Sequence, residues 1–400
     1  MTKKVPELLA PAGSLEKLKI AISYGANAVY CGGQDFGLRT AADNLTYPEL
    51  IEGVDFAHQR GAKVYVVLNS FLHDKDLDAL VPFVEFLNSI QVDAVIVSDL
   101  GVIETVKKYS DIPIHLSTQA SCLNIPSAKL WQKMGIKRVI VGRELSIEEC
   151  SQIKKATNLE VEMFIHGSMC MAYSGHCTIS NYTQGRDSNR GGCAHSCRFE
   201  YSLDFKNWQD EQTRKAYFMS SKDLNGLEYL PQFCEMDIDS IKIEGRMKSA
   251  LYAGTVSKVY REALDYYQEH GNLYSEQLIN WASEMNKFSH RSYTSASLME
   301  SAGADSIYDG RESEEAQEYV SAGNIIEVKD NQYVLVQVRR AFCPNDDLEV
   351  LPFSGEAIKL QTHEIFDLKN NKIEKTNPST IVKLPFVPGV CAKNIVRQRA

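Results

Sequence analysis

Glu7-Leu-Leu-Ala-Pro-Ala-Gly-Ser-Leu-Glu-Lys-Leu-Lys-Ile-Ala-Ile-Ser-Tyr-Gly-Ala-Asn-Ala-Val-Tyr-Cys-Gly32 reads as one strand, one helix and a second strand. Glu7–Ala12 is a short apolar run, Ser14 is placed to cap a helix over Leu15–Tyr24, and Ala28–Gly32 is the next apolar run. The rhythm continues with strands predicted at Lys63–Asn69, Ala94–Asp99, Ile114–Thr118, Arg138–Arg143, Leu159–His166 and Ser240–Glu244. Helical spacing of apolar residues lies between them, as at Tyr47–Arg60 and Leu77–Ile90. Strands alternating with helices imply right-handed crossovers and a parallel sheet. Consecutive Val and Ile in the strands fit a sheet buried on both faces.

Eight such strands predict a TIM-like (β/α)8 barrel. A doubly wound sheet is the rival, but the chain has no Gly-x-Gly-x-x-Gly turn. In a barrel the C-terminal strand ends converge on one face, where active sites lie. Asn69, Asp99, Gln119, Arg143, His166 and Glu244 end the predicted strands. One connection breaks the rhythm: a Cys-rich insertion, residues 167–235, precedes the eighth strand, and long insertions of this kind are commonly functional. Leu251–His270 and Ser275–Asn286 read as helices, completing a first domain at 1–310.

An acidic linker at 311–319 follows, and then short alternating runs separated by turn signals. Ala322–Val328, Tyr333–Val338, Asp347–Leu351, Ala357–Leu360 and Thr380–Leu384 predict a small antiparallel β-barrel over 320–400. Two domains suit a chain of 400 residues, 44% hydrophobic and 24% charged. No run approaches the roughly 18 apolar residues of a membrane span. The N-terminus shows no secretory pattern, so a cytoplasmic protein without membrane attachment is expected. A net charge of −9 argues against a chain-wide nucleic-acid surface but leaves room for a local basic one.

A cytosolic location makes the ten cysteines candidates for metal or redox chemistry rather than disulfides. Cys170, Cys177, Cys193 and Cys197 follow the pattern C-x6-C-x15-C-x3-C, with glycines between them. Thiolates ligate iron–sulfur clusters and structural zinc. Zinc sites favour closer Cys pairs, and only the last pair here fits, so an iron–sulfur cluster is the preferred reading. Cys234 is the alternative fourth ligand, while Cys31, Cys122, Cys150, Cys343 and Cys391 are expected to be buried and inert.

Lys242-Ile-Glu-Gly-Arg246 is a second polar constellation. Lys242 and Glu244 share a strand face, and Arg246 suits an anionic ligand; an internal salt bridge of Lys242 is the alternative. Arg39 and Arg143 are further anion-binding candidates. His166 and Glu244 are candidates for proton transfer, and His115 is expected to be a core histidine. Phe288-Ser-His-Arg-Ser-Tyr293 could cover the barrel mouth, meet nucleic acid or join the domains. Basic residues gather at Arg186, Arg190 and Arg198 and at Lys242, Arg246 and Lys248, which would suit an RNA backbone.

The sequence resembles the collagenase-like peptidases, family 32 of the unknown-type (U) peptidases. The resemblance rests on Glu7-Leu-Leu-Ala-Pro-Ala-Gly13, Gly25-Ala-Asn-Ala-Val-Tyr-Cys-Gly-Gly33, His115-Leu-Ser-Thr-Gln119, Val141-Gly-Arg-Glu-Leu-Ser146, Glu162-Met-Phe-Ile-His-Gly-Ser-Met-Cys170, Ser221-Lys-Asp-Leu224 and Lys242-Ile-Glu-Gly-Arg246. It spans about residues 5 to 300, and the tail is similar to the family's small C-terminal β-domain. Met171-Ala-Tyr-Ser-Gly175, Arg186-Asp187, Cys193-x3-Cys197-Arg198 and His290-Arg-Ser-Tyr293 bring it nearest to the members that hydroxylate bacterial tRNA. The long insertion that some members carry before Lys222-Asp-Leu224 is missing.

The resemblance implies prephenate-dependent, oxygen-independent hydroxylation of the wobble uridine of tRNA to 5-hydroxyuridine. It implies a 4Fe-4S cluster on Cys170, Cys177, Cys193 and either Cys197 or Cys234, with tRNA and prephenate as partners and a paralogue as a further one. A collagenase-like peptidase, using a cysteine nucleophile with His166 or His176 or a metal, is the alternative. His-Glu-x-x-His and Gly-x-Ser-x-Gly motifs are absent from the sequence, however. A non-catalytic Fe–S or RNA-binding scaffold is the third reading.

Overall fold

The computed structural model describes residues 3–37, 43–204, 213–308, 318–329, 332–360 and 362–400. Strands β1 (Glu7–Ala12), β2 (Ala28–Cys31), β3 (Lys63–Leu68), β4 (Ala94–Val97), β5 (Ile114–Leu116), β6 (Arg138–Ile140) and β7 (Glu160–Ser168) each pair in parallel with the next. The chain then enters the insertion, where β8 (Tyr201–Asp204) and β9 (Thr213–Ala216) form an antiparallel pair. A third insertion strand, β10 (Asp223–Asn225), runs antiparallel along the end of β7. Strand β11 (Ser240–Ile243) pairs in parallel with both β7 and β1, closing the eight-stranded barrel that the opening unit predicts. Strand β12 (Tyr293–Thr294) adds to β10.

Local chemistry sets the helix starts. The Ser14 hydroxyl accepts from the Lys17 amide, and Thr46 with Glu49 and Ser146 with Glu149 form capping boxes. Every residue of β2 and β4 is buried, as a sheet covered by helices on one face and a filled lumen on the other requires. None of the described helices is long and apolar enough to cross a membrane.

Six further strands build the C-terminal domain: β13 (Tyr319–Lys329), β14 (Tyr333–Val338), β15 (Leu348–Leu351), β16 (Ile358–Leu360), β17 (Ile381–Pro385) and β18 (Ile395–Arg399). They form one antiparallel sheet, ordered β16-β15-β18-β13-β14-β17, that curls into a half-barrel around its own core, with Val334, Val336 and Val396 fully buried. The alternating pattern missed β18, whose Arg397 is completely buried. That guanidinium pairs with Glu284 of the first domain and with Glu349. Tyr24 donates to the Leu351 carbonyl at 2.6 Å and accepts from the Ile395 amide at 2.9 Å. Together with an apolar contact of Ile20, Leu251 and Ile395, these bonds fasten the two domains together. Arg39 and residues 311–317 of the expected linker lie outside the described residues.

Candidate active site at the barrel mouth

The barrel is floored by charge. Arg138, at the start of β6, donates to Glu7 at 2.6 Å, to Glu160 at 2.8 Å and to Glu162 at 3.1 Å. Glu162, fully buried in β7, also accepts from Lys242 Nζ at 2.9 Å. Burial pushes the Glu162 carboxyl up, but Lys242 and Arg138 outweigh it and hold the group below the usual carboxylate range. The internal salt bridge considered for Lys242 therefore forms, with Glu162 as its partner. Glu162 was not singled out from the sequence; the signal was a carboxylate between Val161 and Met163 in an apolar run, which must have a buried counter-charge.

Above this floor lies a pocket at the C-terminal strand ends, whose walls include Tyr30, Phe164, Arg143, Lys242, Glu244 and Arg246. Lys242 sits 4.3 Å from the Tyr30 ring centre, and the Arg143 guanidinium lies 3.8 Å above Phe164. Both are cation–π distances, so the aromatic walls orient the cations. Arg246 is buried over Gly32, where a Cβ would stand only 2.4 Å from Nη1, so the glycine makes room for the guanidinium. Gln119 is held from one side: its Oε1 accepts from Asn69 Nδ2 at 3.1 Å and from the Ser117 hydroxyl. Two accepted bonds fill that oxygen, and the amide Nε2 is left as a donor.

A second cavity adjoins the first, and all four of Cys170, Cys177, Cys193 and Cys197 line it. The two cavities share Gln119, Arg143, Cys170, Ser174 and Glu244 as a common wall. Gly175 seats the insertion there: its φ is +85°, and a Cβ would meet the Gln119 carbonyl oxygen at 2.2 Å. Ser121 Oγ adds a bond to the Ser174 carbonyl at 2.9 Å. The Cys197 thiol is raised by burial and opposed by Arg198, and Cys170, Cys193 and Cys177 are all near enough to raise it further.

Cys234 is elsewhere, on a short helix at the opposite end of the barrel, where burial and Glu235 push its thiol up to about 12 and Lys3 opposes them. Cys197, and not Cys234, shares the cavity of Cys170, Cys177 and Cys193. Cys31, Cys122 and Cys150 are buried, but Cys391 is exposed and Cys343 half-buried, contrary to expectation. No three His, Cys, Asp or Glu side chains among the described residues converge closely enough to hold a single metal ion. Four thiols lining one cavity are the donor type that would suit an iron–sulfur cluster.

Several expectations need correction. His166 is fully enclosed by Tyr252, Tyr260 and Tyr293, with Nδ1 3.3 Å from the Tyr260 hydroxyl, and it faces helix Ala250–His270 rather than the pocket. Burial lowers its pKa to about 3, so it is a neutral packing residue and not a proton carrier at the mouth. His115, by contrast, is the buried core histidine that was expected, packed against Tyr65. His290 and Arg291 are buried too, Arg291 pairing with Asp223, so the segment before β12 neither covers the mouth nor offers itself to nucleic acid. The two basic clusters are only partly solvated: Arg190 pairs with Asp76 at 2.8 Å, while Lys242 and Arg246 are buried. Arg186 remains exposed.

Comparison with known proteins agrees with this architecture. Residues 13–308 match the model of Peptidase family U32, and residues 317–397 match that of the Peptidase family U32 C-terminal domain. The chain is 40% identical to the tRNA hydroxylation protein P1 of Bacillus subtilis over 100% of its length and 96% of the relative. It is 38% identical to a 23S rRNA 5-hydroxycytidine synthase of Escherichia coli, over 67% of this chain and 40% of that one. A collagenase of Porphyromonas gingivalis is 30% identical, over 65% of this chain and 66% of its own. The chain belongs to Peptidase family U32.

Proposed function

We propose that the chain is an RNA-modifying enzyme that hydroxylates tRNA, converting the wobble uridine to 5-hydroxyuridine with prephenate as co-substrate. The observation that carries this reading is the wall shared by the two cavities: Cys170, Arg143, Gln119 and Glu244 face both the thiol quartet and the barrel mouth. The relatives named for tRNA and rRNA hydroxylation support an RNA substrate.

Cys170, Cys177, Cys193 and Cys197 would hold a 4Fe-4S cluster, which when bound supplies one-electron chemistry beside the pocket. Arg143, Lys242 and Arg246 bind carboxylates of the co-substrate, with Gln119 Nε2 donating to a further oxygen. Glu244 is the proton carrier at the wall. The pocket is closed below by the Glu162 ion network, so a base must enter from the mouth, leaving its stack to do so. A peptidase gains no support from His166, which is turned toward Tyr260, away from the thiols it would have to activate.

Nucleoside mass spectrometry of tRNA from a strain lacking the gene and every paralogue tests the proposal. Loss of 5-hydroxyuridine derivatives, restored by the wild-type chain but not by Glu244→Gln, is expected. Unchanged 5-hydroxyuridine in that strain refutes it.

A further inference from the structure

A single exposed ring is ordinary on a protein surface, but exposed rings gathered on one segment beside a cavity point to a ligand surface. Among the described residues the exposed aromatics are Tyr47, Tyr109, Tyr173, Tyr182, Phe199 and Tyr274. Tyr47 packs on Phe83 and Phe86, Tyr274 meets Tyr266 edge-on, and Tyr109 carries Lys108 over its face. Tyr173, Tyr182 and Phe199 are the ones whose rings meet no aromatic or cationic neighbour, and all three lie on the cysteine insertion. Tyr182 is 88% exposed, the largest value among these rings. Tyr173 itself lines the thiol cavity, and Ile179 and Ser180, from the helix that carries Tyr182, line it too.

Charge points the same way. Residues 170–199 contain Arg186, Arg190 and Arg198 against the single acid Asp187; Arg190 is met by Asp76, which leaves Arg186 and Arg198 as the local excess in a chain of net charge −9. Exposed Arg186 lies four residues from Tyr182. Around Tyr182 the exposed chain neighbours are Thr183, Gln184 and Gly185, a polar setting unlike the apolar centre of a protein interface.

We propose that Tyr173, Tyr182 and Phe199 form a base-stacking platform on which unpaired nucleotides flanking the target base rest, with Arg186 on the phosphate backbone. The proposal rests on the RNA-modifying reading above and adds to it where the RNA sits. Faces of successive bases stack on single exposed rings, while a basic side chain tracks the strand.

The test is filter binding of an unmodified tRNA transcript to the anaerobically purified full chain. Tyr182→Ala should weaken binding about tenfold, as expected for one lost stacking contact, and adding Tyr173→Ala should weaken it further. Tyr182→Phe should bind within about twofold of the wild type, because the ring face is kept. Arg186→Ala should lower affinity and reduce the salt slope by about one. Wild-type binding that Tyr182→Ala leaves unchanged overturns the platform while the RNA reading stands. No binding by the wild type overturns both. Unchanged RNA affinity accompanied by altered self-association in sedimentation assigns the rings to a protein contact, and also overturns the proposal.

Discussion

Replacing Glu162 by glutamine should destabilise the barrel by about 3–5 kcal/mol, the usual cost of leaving a buried charge without its partner. The carboxylate stands 2.9 Å from Lys242 Nζ and 3.1 Å from Arg138 Nη1, at 0% exposure. At an effective dielectric of about 20, each contact is worth roughly 5–6 kcal/mol before desolvation is counted. Arg138 would keep Glu7 and Glu160. Lys242 would keep only the faces of Tyr30 and Phe164, at 4.3 and 5.6 Å, which return about 1–2 kcal/mol. The loss therefore concentrates on Lys242, and a second change, Lys242→Met, should recover most of the stability, since a buried ion pair can be exchanged for apolar packing. Urea unfolding followed by far-ultraviolet circular dichroism gives the four corners of the double-mutant cycle. A single-variant loss below about 1 kcal/mol, or no recovery in the double variant, would refute the account of the barrel floor.

Three further outcomes are expected. Since His166 is held near a pKa of about 3 when folded, against 6.5 unfolded, only the unfolded chain gains its proton as pH falls below 6.5, and stability is lost downward from there. That loss should reach about 2 kcal/mol between pH 7 and pH 5 in urea titrations and be absent from the pH slope of His166→Phe. Cys170→Ser should abolish the iron content and brown colour of anaerobically purified protein, whereas Cys234→Ser should leave both intact; iron loss from the Cys234 variant would reopen the choice of fourth ligand. Arg397→Met should leave Glu284 and Glu349 with Lys287 as their shared counter-charge, cost about 2 kcal/mol and raise hydrogen exchange in β13 and β18 before the barrel; uniform exchange across both domains would contradict it.

Much of the architecture was legible in the chain, because a strand buried on both faces and a helix buried on one leave periodic apolar patterns. All eight barrel strands, the Ser14 cap and the position of the insertion follow from such local signals. Strand β18 did not, because Ile395-Val-Arg-Gln-Arg399 looks polar until Glu284 and Glu349 supply the charges that let Arg397 be buried. The cysteine spacing by itself marked a candidate ligand set, while which thiols share one cavity depended on what the fold brings together. Roles of single polar residues were the least legible. His166 and Glu244 end neighbouring strands in the same way, yet only Glu244 reaches the mouth, because β7 turns the imidazole outward against Tyr260. Sequence determined the elements and the ligand types through short-range chemistry; burial and counter-charges, which join residues far apart in the chain, were decided only by the closed barrel.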